Sequence, residues 1–553
     1  MKAKKLCALL LALMMLFALA ACNNEEQPDN TQTPDNTQTP DNSQTPDDSA
    51  PQDNNTPSEL VFGQFNMKAP LDRTVGTYIE TSQVVDWIYE GLYAINPETG
   101  ELEPRLAESY EVSDDGLTYT FHLRKGVKFH NGQEFTSADV KYSFERLLTP
   151  ATNSLVGEDY YMIVGAQEMM DGTATELAGM TCPDDYTVVM ETNEVLSITM
   201  PYTSTTAIYP KDACSAAGAD WGLKDNVIGT GPYKLVENGE TQIVIEKNPE
   251  YWGGEDAVRV DRVVYKLYDD AATIQLAYQN GDIDAYVIDA TQAEEYGKTI
   301  PDELKSFPTY GHFFTMMNQD LEPFNDIKVR EAFFYAIDVD AIAQDLLKGT
   351  SEAASCLLAP SVMGHVGRDT VKYDPEKAKQ MLADAGYPDG VSFDAITTNL
   401  TGQGGQMLVA MQAQAAPAGF TINPMQVDRA TWTDMRNSGK VPFAIGNWYL
   451  GTPEADSILY GFFHSSNNKF FSVNYRSEEF DKLVEDARRE LDVAKRTEMY
   501  TKADDMLVRE DFVTVPICYP TSFYLVKTYV KDFDMYNSVL PLWDCSVDMS
   551  AKK

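Results

Sequence analysis

At 553 residues, with 43% hydrophobic and 11% aromatic content, the chain has apolar material for two or three folded domains, and wholesale disorder is excluded. Its formal net charge of -42 repels nucleic-acid phosphates and anionic lipid head groups. No nucleic-acid partner is expected, and no membrane surface held by charge.

The chain opens with Met1-Lys2-Ala3-Lys4-Lys5 and an apolar run from Leu6 to Ala21. A basic start and a short apolar core read as a secretory signal peptide over residues 1–21. The run is shorter than the roughly 20 residues of a spanning helix. Its ending, Leu19-Ala20-Ala21-Cys22, resembles the bacterial lipoprotein box. That resemblance implies acylation of Cys22, palmitate included, and an extracytoplasmic protein held to the outer face of the cell membrane through lipid alone. Residues 22–57 carry a six-residue repeat: Pro28 to Thr33, Pro34 to Thr39, Pro40 to Thr45. A tract without large apolar side chains cannot offset the entropy of ordering, so it reads as a tether, a coil spanning roughly 30–35 Å.

From Ser58 onward strand and helix patterns mix. Thr118 to Leu123 alternates, with Tyr119, Phe121 and Leu123 on one face of a strand. Thr136 reads as an N-cap, with Asp139 three residues on and Val140, Phe144 and Leu148 spaced for a buried stripe. Val263, Tyr265 and Leu267, then Ile283, Ala285 and Val287, read as strands. Asp374-Pro375-Glu376 starts a helix that turns Met381 and Leu382 inward and stops at Gly386. Gly402 to Gly405 reads as a surface loop, since no Gly-Lys-Ser/Thr follows to make a P-loop. Ser477 starts an amphipathic helix to Arg489, and Asp492 starts another to Arg509. The whole is an α/β protein of more than one lobe.

Catalytic chemistry is not visible. His122, His130, His312, His365 and His464 stand at no zinc-ligand spacing, and there is no GxSxG elbow. Gly229 to Tyr233 is a poor phosphate cradle, because Pro232 has no N–H to donate and a strand pattern follows. Cys182, Cys214, Cys356, Cys518 and Cys545 are widely and irregularly spaced, which fits buried thiols better than a metal or redox site. No catalytic residue, metal or cofactor is expected. A secreted hydrolase stays open as an alternative, because any chain of this size offers carboxylate pairs.

Several segments carry a family resemblance in order along the chain. They are Glu90 to Tyr93, Pro104 to Tyr110, Asp115 to Phe129, Asn131-Gly132 through Arg146, Gly229 to Tyr233, Asn248 to Trp252, Gly281 to Asp284, Pro323 to Asp326 with Val329 and Arg330, and Ala378 to Gly386. Together they resemble the family 5 (oligopeptide, dipeptide and nickel-binding) class of ABC-importer solute-binding proteins. The resemblance implies a bilobed periplasmic-binding-protein-like (type II) fold with an additional inserted domain. Lobe I would comprise 58–93, 199–309 and 517–553, the inserted domain 94–198, and lobe II 310–516. It implies a monomer that closes on a small-molecule or peptide ligand and delivers it to ABC permease and ATPase subunits.

In the peptide-binding members a Trp is followed three residues later by an Asp that pairs with the peptide ammonium. Trp448 fits, but Gly451 stands where the Asp is expected, which leaves Glu454 and Asp456 as substitutes from the same loop. Rigid aromatic surface at low entropy cost suits Tyr449 beside Trp448 to a cleft wall, and the resemblance points to Arg436 as a basic position near the pocket. Trp432 and the pair Tyr160-Tyr161 complete the candidates. A peptide is the expected ligand; an oligosaccharide, a metal chelate or a non-transport surface receptor are the alternatives.

Overall fold

The computed structural model describes residues 57–552 except 77, 97–100, 451, 468–471, 536–538 and 541. The signal segment, Cys22, nearly all of the tether, and Gly451 therefore lie outside the described residues.

Runs of β-branched and aromatic residues build one ten-stranded sheet: β1 (Glu59–Phe65), β2 (Tyr233–Asn238), β3 (Gln242–Lys247), β4 (Arg262–Tyr268), β5 (Ala285–Ile288), β6 (Leu304–Pro308), β7 (Gly311–Met317), β8 (Ser351–Ala353), β9 (Phe443–Tyr449) and β10 (Pro516–Val526). The order is β9-β7-β10-β5-β1-β4-β3-β2, with β6 and β8 also paired to β10. β1 runs parallel to β4 and β5. β10 is the strand the two lobes share: Phe313 of β7 lies opposite Cys518 and Glu352 of β8 opposite Tyr519, whereas Ser306 of β6 lies opposite Phe523 and Ala285 of β5 opposite Val526.

Separate apolar cores give the bodies their identity. Lobe I packs one face of its part of the sheet around Trp87, Tyr233, Tyr265 and Leu542, and the other around Ile274, Tyr278 and Tyr286. Lobe II is centred on the rings of Phe324, Phe333, Phe393 and Phe443. The inserted domain has its own core of Phe121, Phe129, Phe144, Ile163 and Met190.

That inserted domain holds a four-stranded antiparallel sheet, Ala107–Val112, Thr118–Leu123, Thr187–Glu191 and Met180–Asp184 in spatial order. Tyr119, Phe121 and Leu123 face inward, as the alternation requires. The helix Ser137–Leu148 crosses it, with Val140, Phe144 and Leu148 buried. Thr136 N and Oγ1 donate to Asp139 Oδ2 at 2.9 and 3.1 Å.

The recurring sequence segments converge inside lobe I and, through His130, on its seam with this domain. Buried Glu90 accepts hydrogen bonds of 2.8 Å from Thr230 Oγ1, Tyr251 OH and Trp252 Nε1. Burial raises its carboxyl pKa, and those donors pull it back. Gly231 N donates to Ile88 O and Tyr233 N to Trp87 O. A Cβ on Gly229 would sit 1.8 Å from the Ile88 carbonyl oxygen, so only glycine allows this approach. Gly229 N donates to His130 Nδ1, and the other ring nitrogen meets Gly231 O at 3.0 Å. Burial lowers His130 to about 4, so the ring bridges the seam in its neutral form.

Lobe II follows its caps. Asp374 accepts from Lys377 N ahead of the helix Pro375–Asp384, Leu382 is buried, and Gly386 follows at φ +98°. Two expectations need correction. Gly402 to Gly405 is not a loop: Gly402 caps a helix, Gln403–Ala415. Gly405 is there because the chain packs against it, since a Cβ would lie 2.2 Å from Asn399 O. The helix after Asp492 is α-helical only over Val493–Asp505 and continues as a π-turn, Met506–Glu510. The five thiols Cys182, Cys214, Cys356, Cys518 and Cys545 are all free, and all but Cys182 are buried.

Candidate ligand cleft and hinge

Two chain crossings join the lobes: the turn from β6 to β7, and the middle of β10. They are clipped to each other at Thr309, whose Oγ1 donates to Pro520 O at 2.8 Å and accepts from Gly311 N at 3.1 Å. β9 ends beside this point, because Gly311 pairs with Tyr449 and His312 with Trp448.

Tyr449 leans over Gly311, where a Cβ would lie 2.6 Å from ring atoms Cδ1 and Cε1 and 3.0 Å from Pro520 Cγ. The ring keeps 40% of its surface open, yet the protein around it pushes the hydroxyl up to about 12. Trp448 is half-buried, edge-on to Phe462 at 4.8 Å. His312, 1% exposed, stacks at 5.3 Å on Phe314, and neither ring nitrogen has a protein hydrogen-bond partner among the described residues. Burial lowers it to about 3, so it stays neutral. Two aromatic side chains and a neutral imidazole therefore sit where the sheet passes between lobes.

The two substitute carboxylates are already engaged. Asp456 is 2% exposed, with Oδ1 2.9 Å from Arg488 Nε. Glu454 Oε1 lies 3.9 Å from Arg496 Nη2. Burial raises both carboxyl pKa values, and the arginines oppose it. These are internal ion pairs in lobe II, not carboxylates facing open space.

The remaining candidates scatter. Tyr160 belongs to the inserted-domain core, against Phe144 at 5.7 Å, with its hydroxyl 2.7 Å from Thr206 Oγ1. Tyr161 is half-buried at the margin of that core, donating to Glu194 Oε1 at 3.4 Å, with the Arg488 guanidinium 5.7 Å from its ring. Burial raises that hydroxyl to about 12. Trp432 packs on the margin of the lobe II core, and Arg436 lies one turn further along the same helix, Arg429–Asn437. Among the described residues no group of three His, Cys, Asp or Glu side chains is placed to hold a metal ion. Nor is any described helix long and apolar enough to cross a membrane.

The family model for "Bacterial extracellular solute-binding proteins, family 5 Middle" matches residues 101–470. The chain belongs to this family. Among curated relatives, this solute-binding protein is 28% identical over 499 residues to heme-binding protein A of Haemophilus influenzae, covering 84% of this chain and 88% of that one. It is 27% identical over 476 residues to the periplasmic oligopeptide-binding protein OppA of the same organism, covering 82% and 87%. It is 30% identical over 433 residues to the glutathione-binding protein GsiB of Escherichia coli, covering 76% and 81%. Among solved structures, DppA of Helicobacter pylori in complex with the peptide STSA aligns at TM-score 0.72 and 25% identity, covering 89% and 98%.

None of the ligand-binding candidates drawn from the sequence lies in lobe I of this solute-binding protein. In open α/β sheets ligands lie beyond the carboxyl ends of parallel strands. The segment beyond the end of β1 exposes Met67, Tyr78 and Ile79, the last two at 49%. Tyr78 and Ile79 stand at the entry of the helix Ile79–Val85, where an apolar pair passes for a packing staple. His312 was equally hidden, since one histidine in an apolar strand reads as core.

Proposed function

We propose that this chain is a lipid-anchored solute-binding protein that captures a short peptide between its lobes and hands it, unaltered, to the permease and ATPase of an ABC importer. The observation that carries the reading is the hinge: Trp448 and Tyr449 end β9 beside the two chain crossings, so closure brings rigid aromatic surface onto a trapped solute. Within it we assign lobe I to 58–93, 199–309 and 517–553, the inserted domain to 94–198 and lobe II to 310–516, with the last boundary moved to the middle of β10 because Ile517, Cys518 and Tyr519 pack in the lobe II core. The protein works as a monomer, and Cys22 carries the acyl anchor with 22–57 as tether.

Peptide is preferred because relatives bind an oligopeptide and the tripeptide glutathione. With Asp456 and Glu454 bound to arginines, the ligand ammonium is not anchored by that loop. Thermal shift and titration calorimetry with tri-alanine, N-acetyl-tri-alanine, glutathione and haem test this. A ligand at about 100 Kd adds roughly 2.7 kcal/mol of stability. Free and acetylated tri-alanine are expected to shift the protein equally. A shift with haem and none with either peptide would remove the peptide assignment, and turnover of any probe would remove the non-enzymatic one. Labelled palmitate should enter the intact chain and not C22A.

A further inference from the structure

The inserted domain is joined to lobe I by a broad buried seam. Besides His130, Arg146 Nη2 meets Asp72 Oδ2 at 2.5 Å, Tyr209 N donates to Ser143 Oγ, and Lys211 N donates to Asp139 Oδ1. Domain and lobe I must move as one piece. Toward lobe II the described contacts are of another kind and fall at the last turn of the helix Glu478–Arg489. Ser197 N donates to Arg488 O at 2.7 Å, Arg489 Nη2 donates to Glu194 Oε2 at 3.0 Å, and Tyr161 adds its ring beside Arg488. Glu194 also accepts from Tyr161. Behind them, Asp456 and the face of Tyr460, 3.7 Å from the guanidinium, fix Arg488 in place.

We propose that this patch is a closure latch: Glu194, Ser197 and Tyr161 engage Arg488 and Arg489 when the lobes are shut and part when the hinge opens, with Asp456 as the positioning residue that sets Arg488. The proposal rests on the capture reading above. Its parts suit a reversible catch. The Arg489–Glu194 pair is half-exposed and individually weak. Hydrogen bonds fail within a fraction of an ångström beyond their normal length, so a small hinge rotation releases the whole patch together. The carboxylate expected to meet a ligand ammonium thus acts on the shape of the protein instead.

Amide exchange in the full chain tests it, because Ser197 N is protected by the latch and Gly231 N by its bond to Ile88 O inside lobe I. E194R and R489E should each speed Ser197 exchange by about 5-fold, the worth of one such pair, and leave Gly231 unchanged. The swap E194R/R489E should restore it. D456N should speed Ser197 alone. Saturating tri-alanine should slow Ser197 in the unaltered chain. Unchanged Ser197 exchange in both single variants, or a swap that restores nothing, would overturn the latch. Equal acceleration of both amides in D456N would overturn the positioning role. Tri-alanine that raises the melting point without slowing Ser197 exchange would overturn the tie to closure, whereas tri-alanine that does neither would remove the peptide reading.

Discussion

Replacing Asp504 with Asn should change how stability depends on pH. Asp504 is fully buried on the helix Val493–Asp505, and its Oδ1 accepts from Leu357 N at 2.8 Å and Leu358 N at 3.2 Å. Burial raises its carboxyl from the ordinary 3.8 to about 7, with Asp505 adding to the rise and Arg368 and the two amides opposing it. A folded-state value above the unfolded one means that folding takes up a proton. This contribution is fully present below about pH 4 and is lost as pH rises toward 7. At about 1.4 kcal/mol per pH unit, the interval from pH 5 to about 7 is worth roughly 3 kcal/mol. Asn keeps the accepting oxygen and carries no charge, so D504N should gain on the unaltered protein by up to that amount between pH 5 and pH 8. His130 and His312, held neutral, push the other way in both proteins and cancel in the difference. Urea unfolding of both proteins at the two pH values is the assay. A difference between them that is the same at pH 5 and pH 8 would refute the reasoning. Cys356, next to Leu357, accepts through its carbonyl oxygen from the hydroxyl of Tyr519 on β10.

Three further outcomes follow from the packing. Gly311→Ala should force Tyr449 and Pro520 apart at a cost of about 1–3 kcal/mol and weaken tri-alanine binding about tenfold by calorimetry; undisturbed affinity would remove Tyr449 from the site. Gly229→Ala should yield no soluble folded protein, because its Cβ has nowhere to go; a normal melting point would contradict the seam described above. Lys552→Met strips a cation from buried Asp284, 2.6 Å away, leaving Val61 N and Tyr529 OH as donors. Urea unfolding should show a loss of about 2–3 kcal/mol.

The fold was legible wherever a periodicity had one cause. Tyr119, Phe121 and Leu123 face a core because alternation leaves a strand no other choice, and Asp374 and Gly386 bracket their helix as cap chemistry demands. Gly405 misled because a glycine forced by a neighbouring backbone looks the same in sequence as one that makes a turn. Trp448 came from its place in a family pattern and Tyr449 from its rigid aromatic surface, and both end β9 beside the chain crossings. Glu454 and Asp456 misled because the arginines that engage them lie 42 and 32 residues further on, a pairing that only the tertiary structure makes. Tyr161 and Glu194 belong to another body from Arg488 and Arg489, so no local pattern could join them.

β10 has a consequence for when the protein can finish folding. It lies between β7 and β5 and also takes β6 and β8, yet it follows every one of those strands in the sequence. Until it arrives, β7 and β5 are open edges facing a missing neighbour, and neither lobe can complete its part of the sheet. The longest-range pairings are made last, which slows folding and keeps the chain unfinished while it is being delivered. For a protein read as exported, the late central strand acts as a timer: both halves lock only once β10 has come through.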